Sequence, residues 1–199
     1  MSVSLKLAVT FQEPSVDPSA MLVEYNGDIY ALGEEEDERL VGRARVFLAR
    51  LEACEDHGFS MLDCLDSQQA TEPYIALVHS EYAGSFAPAV QKILEEPDTY
   101  CMDTLIIDRI EVLPAFRGRG YGLDAMKIIM AQLGGGCRIA AIKPYPLQFE
   151  PKETWQEALE LHHFTSKKSE ATKRLRDLYA GIGFKSVGRT GLMIRDLEA

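Results

Sequence analysis

Apolar residues recur at two periods along this chain, and each change of period marks an element. Leu5, Leu7, Val9 and Phe11 alternate with other residues, which predicts a strand over residues 4–11. Residues 21–32 read as further β structure around Asn26-Gly27-Asp28, a run of turn formers that predicts a hairpin. Residues 40–51 fit a strand or a helix by pattern, and their β-branched members and Gly42 favour a strand. Helices are predicted over 60–67, 72–82 and 86–95.

The clearest pattern lies in the second half. From Ile106 to Val112 apolar and polar residues nearly alternate within a β-branched run, so residues 104–113 read as a partly buried strand that Pro114 ends. Leu123, Met126, Ile129, Met130 and Leu133 then fall on one helical face, stopped by Gly134-Gly135-Gly136. Residues 137–142 are a short apolar run of the buried-strand type, followed by Lys143-Pro144-Tyr145-Pro146. Residues 152–164 predict an amphipathic helix with Trp155, Leu159 and His162 on one face, within an inserted segment of about 147–168. Residues 170–182 predict the last helix, and 184–187 with 191–194 a closing hairpin. The sum is an α/β chain with a mixed sheet of about seven strands.

Between strand and helix stands Arg117-Gly118-Arg119-Gly120-Tyr121-Gly122, three alternate glycines beside two arginines. The first N–H groups of a helix lack partners within it and carry the positive end of its dipole. An anion there satisfies several donors, and glycine lets it approach the backbone. The loop is not a P-loop, which needs Gly-Lys followed by Ser or Thr, and its third glycine comes one residue early for the dinucleotide fingerprint.

Val112-x-Pro114 followed by Arg117-x-x-Gly120-x-Gly122 resembles the acyl-CoA-binding signature of the GNAT-type N-acetyltransferase superfamily. Leu178-Tyr179-Ala180-Gly181-Ile182-Gly183-Phe184 is similar to the family's helix-ending tyrosine ahead of a Gly-Phe pair. The resemblance covers residues 104–184. It implies the GNAT acyl-CoA N-acyltransferase fold, a mostly antiparallel sheet flanked by helices, with a CoA-binding core of about 104–187. It also implies a fifth strand that splays from the fourth to admit the pantetheine arm. Val112, Leu113, Arg117, Gly118, Arg119, Gly120, Tyr121 and Gly122 are then the cofactor-binding residues, and acetyl-CoA the co-substrate. The predicted helices follow three strands, whereas the family places two helices after its first strand.

Acetyl transfer to an amine needs a neutral nucleophile, a polarised carbonyl and a protonated leaving thiolate. Deprotonating an alkyl amine of pKa ~10.4 at pH 7 costs about 4.6 kcal/mol, an α-amino group about 1. By the resemblance Tyr179 is the general acid; a helix-face tyrosine packed in the core is the alternative. Asp108 or Glu111 is the candidate base, and a strand bulge decides between them; either can also be a plain strand carboxylate. The resemblance also implies a strand N–H near Val112 as the donor to the carbonyl. His57, His79, His162 and His163 have no partner serine or cysteine in a recognisable pattern. No residue resembles an activated nucleophile, so attack is direct within a ternary complex.

Composition sharpens the substrate class. The 199 residues suit one domain, and 46% are hydrophobic. Thirty-one acidic against 21 basic residues leave a net charge of −10, with a pI of about 4.9. That disfavours nucleic-acid backbones and favours a cationic amine of a small molecule or peptide. The run Glu34-Glu35-Glu36-Asp37-Glu38 reads as a solvated loop. Cys54, Cys64, Cys101 and Cys137 form no CxxC pair and imply no metal. With no signal-peptide core and no apolar span of ~20 residues, a cytoplasmic enzyme without membrane contact is expected. A homodimer stays open. Two rivals remain: a catalytically silent CoA-binding sensor or interaction module, and a nucleotide-phosphate loop in another fold.

Overall fold

The computed structural model describes residues 2–10, 17–33, 37–79, 84–94, 101–149 and 166–198. Three long strands open the chain as an antiparallel meander: β1 (Ser2–Thr10), β2 (Leu22–Leu32) and β3 (Glu38–Ala49). β4 (Thr104–Val112) pairs antiparallel with β3 and parallel with β5 (Ile139–Ile142). β7 (Met193–Asp196) lies antiparallel to β5 and carries β6 (Lys185–Ser186) at the far edge. The order β1-β2-β3-β4-β5-β7-β6 makes one mixed seven-stranded sheet.

Helices cover both faces of that sheet. α1 (Ala53–Asp56), α2 (Met61–Asp66), a 3-10 turn over Glu72–Leu77 and α3 (Pro88–Gln91) join β3 to β4. They bury Phe47, Ile106, Ile139 and Ala141 on one face. α4 (Tyr121–Leu133) makes the crossover from β4 to β5 and packs Ala125, Met126 and Ile129 against Leu105, Ile107 and Ala140 on the other. α5 (Lys168–Ala180) brings Tyr179 to that second face, with Phe184 just beyond its end. Covered on both sides, β5 is buried at all four positions, which is why its sequence is unbroken Ile-Ala-Ala-Ile.

Three expectations are corrected. Residues 21–32 form no hairpin: β2 runs straight through Asn26-Gly27-Asp28, pairing with β1 and β3 together. Gly27 serves close approach there, since a Cβ would stand 2.4 Å from a Leu7 methyl. The helix predicted over 72–82 stops as a 3-10 turn at Leu77, because Val78 bridges Phe86 and His79 N–H donates to Ser85 O at 2.9 Å. The helix predicted over 86–95 shrinks to Pro88–Gln91. The helix predicted over 152–164 falls outside the described residues.

Candidate active site

The central feature is a parting of two strands. β4 and β5 pair from Thr104↔Ile139 to Ile107↔Ile142 and no further, although β4 continues to Val112. Residues 108–112 therefore keep β3 on one side and, among the described residues, offer an edge on the other. Two local causes act together. The β3–β4 register jumps between Arg45↔Arg109 and Val46↔Ile107, so Asp108 is the extra residue of a bulge. Beyond Ile142, Pro144 and Pro146 have no N–H to extend the ladder.

The bulge also settles which carboxylates meet. In a regular strand residues three apart point to opposite faces. Here Asp108 and Glu111 line the same cavity, of about 980 Å³, with Tyr74, Arg109, Lys143 and Tyr145. Neither is an isolated base. Asp108 accepts from Arg45 Nε at 2.7 Å and lies 3.4 Å from Arg109 Nε. Glu111, 4% exposed, accepts from Arg109 Nη1 at 3.2 Å. Arg109 thus bridges the two carboxylates.

At the far end of β4 a short 3-10 turn (Pro114–Phe116) leads into the glycine loop. Gly118 and Gly120 take φ of 74° and 86°, the left-handed region that glycine enters without strain. Gly120 is the N-cap of α4 and supplies no side-chain cap, so the helix opens with bare amides. A Cβ at Gly118 would meet nothing within 4 Å, and at Gly120 only the Asp124 carboxylate at 3.9 Å. The backbone there is open to a ligand.

The remaining loop residues divide by role. Gly122 faces inward: its Cβ would touch methyls of Ile110 and Val112 at 3.4 Å, so its part is close packing of α4 on β4. Arg117 turns back, its Nε donating to Val112 O at 2.9 Å, and braces the turn. Tyr121 is 3% exposed, edge-on to Phe116, and presents only backbone to the loop. Leu113 N–H already donates to Val41 O at 2.8 Å; by strand alternation Ile110 and Val112 direct theirs toward the parted edge. Arg119 has its guanidinium carbon 5.9 Å from the Phe116 ring, and Arg39 from β3 stands at the same distance. Arg39 is 77 places away in sequence from Phe116 and carries no motif, so no local signal marks it.

Two phenols pack on opposite faces of the sheet. Tyr179 packs with the α4-side core, its ring tilted against Phe184 at 6.3 Å, and burial pushes its hydroxyl up to about 12. Tyr74, 2% exposed, comes from the opposite face. Burial raises its pKa most and the Asp108 carboxylate adds to that; the Lys143 backbone lowers it, and Tyr179 raises it slightly. Sequence reasoning missed Tyr74 because it sits in a segment that reads as plain helix. Tyr179 and the glycine loop lie outside the lining of the large cavity.

The histidines stand apart. His57 bonds through Nδ1 to Ala53 O at 2.9 Å in an exposed turn, and His162 and His163 fall outside the described residues. Among the described residues no group of three or more His, Cys, Asp or Glu could hold a metal ion, and no helix is long and apolar enough to cross a membrane. No family model and no curated protein matches the chain.

Proposed function

We propose that this chain is a GNAT-type N-acetyltransferase that moves the acetyl group of acetyl-CoA to a primary amine by direct attack. The observation that carries this reading is the parting of β4 from β5 directly ahead of a bare-amide loop that opens α4. An extended thiol arm needs a strand edge, and a diphosphate needs helix-end amides. Both are supplied by one stretch, residues 108–122.

Acetyl-CoA brings an activated acyl carbon with a thiolate leaving group. The amides of Gly118 to Gly120 and the guanidinium groups of Arg39 and Arg119 hold the diphosphate. The Val112 N–H polarises the acyl carbonyl, and Tyr179 donates to the departing sulfur. Asp108 and Glu111 are engaged by Arg45 and Arg109, so the amine loses its proton through water lodged against that network. The same engagement is what favours the rival reading, a silent CoA-binding module. Thiol release from acetyl-CoA over a panel of polyamines, aminoglycosides, amino acids and peptides decides between them. An enzyme shows amine-dependent release, and a module shows none.

A further inference from the structure

Granted the acyl-transfer reading, the charges around the large cavity narrow the acceptor. Among the described residues its wall carries five cationic side chains, Lys6, Arg43, Arg45, Arg109 and Lys143, against the three carboxylates Asp28, Asp108 and Glu111. Every one of those carboxylates faces an arginine: Asp28 lies 3.4 Å from Arg43 Nε, Asp108 2.7 Å from Arg45 Nε, and Glu111 3.2 Å from Arg109 Nη1. Lys6 is paired with Glu38, outside the wall. The Lys143 ammonium, exposed at the end of β5, has no carboxylate partner among the described residues.

A chain of net charge −10 thus lines this cavity, among its described residues, with a cationic excess. A polyamine entering it meets carboxylates that are already compensated and cations that repel it. An amine with its own carboxylate meets a cation that has no carboxylate partner among the described residues. Lys143 also directly follows Ile142, the last residue of β5 paired with β4, so an anion held there lies at the mouth of the parted strands.

We infer that the acceptor is a small amine that itself carries a carboxylate, held by Lys143 with its amine turned toward Asp108. The reaction balances without further reagents. The ammonium first loses a proton to water; its nitrogen then forms a bond to the acyl carbon as the carbon–sulfur bond breaks. The electron pair leaves on sulfur, and the nitrogen's second proton ends on the thiol. The products are an N-acetylated amino acid, free CoA and one proton.

The test is calorimetry on the protein saturated with CoA, using amino acids each matched with the amine that remains when the α-carboxylate is removed. The expected result is that an amino acid binds about tenfold or more tightly than its decarboxylated partner, the worth of one charge-assisted contact. Lys143→Met should erase that preference and leave the CoA heat unchanged. Decarboxylated amines binding equally well, or a preference that survives Lys143→Met, overturns the inference while leaving acyl transfer intact. If CoA gives no heat, the acyl-transfer reading fails by itself, and the same matched pairs titrated into the free protein still judge the cavity.

Discussion

Tyr179→Phe removes one oxygen from the site and separates its chemical role from its packing. The ring stays against Phe184, and no hydrogen bond of the hydroxyl is seen among the described residues, so the variant should keep its stability within about 0.5 kcal/mol. Turnover is a different matter. A phenol pushed up to about 12 is a weak acid beside a thiol of ~8.5. Full proton transfer between them is uphill by roughly 3.5 units, or about 5 kcal/mol. On the proposed acyl-transfer reading Tyr179 acts mainly by holding a hydrogen bond to the sulfur as charge develops, worth about 1.5–3 kcal/mol, and kcat should fall about 10- to 150-fold. Affinity for CoA should stay within twofold. Thiol release, CoA calorimetry and urea unfolding on the two proteins measure all three. A variant that turns over at the wild-type rate, or loses more than about 2 kcal/mol of stability, refutes the assignment.

Other perturbations test separate links. Tyr179 keeps its proton in the folded state between pH 10 and about 12, where the unfolded chain has lost it, so its stabilising contribution drains away as pH rises through that window. From pH 9.5 to 11.5 the wild type should lose about 2 kcal/mol more than Tyr179→Phe in urea unfolding. Gly42→Ala would place a methyl 2.1 Å from Glu111 O and force β3 from β4. The expected cost of about 2 kcal/mol lowers Tm by about 4–8 °C in a calorimetric scan. Gly120→Ala must adopt a φ of 86° at a strain of roughly 1–2 kcal/mol, and should weaken CoA about tenfold in titration. Arg39→Ala should weaken CoA up to about fivefold at low salt, as exposed ion pairs do. At 1 M salt, where screening acts within about 3 Å, the difference should vanish.

What the sequence disclosed and what it hid follow from how local each signal is. β4, the glycine loop and α4 were legible because a strand period, a proline, three glycines and a helical stripe follow one another within thirty residues. The bulge at Asp108 depends on how β3 lies beside it, so the sequence left Asp108 and Glu111 as rivals, whereas the fold puts both on one wall. Arg45 and Arg39 reach the site from β3, across separations that no local pattern records. Asn26-Gly27-Asp28 misled because glycine signals a turn and close backbone approach alike, and only the neighbour Leu7 distinguishes them. Tyr74 was hidden by a helix-compatible stretch that the Val78–Phe86 bridge cuts short.

The most direct test is a calorimetric titration of coenzyme A into the purified 199-residue chain, with ATP as the comparison. The account predicts saturable one-to-one binding of CoA, tighter than ATP, that weakens in Gly120→Ala. No heat with CoA at millimolar concentration, or tighter binding of ATP, would contradict it.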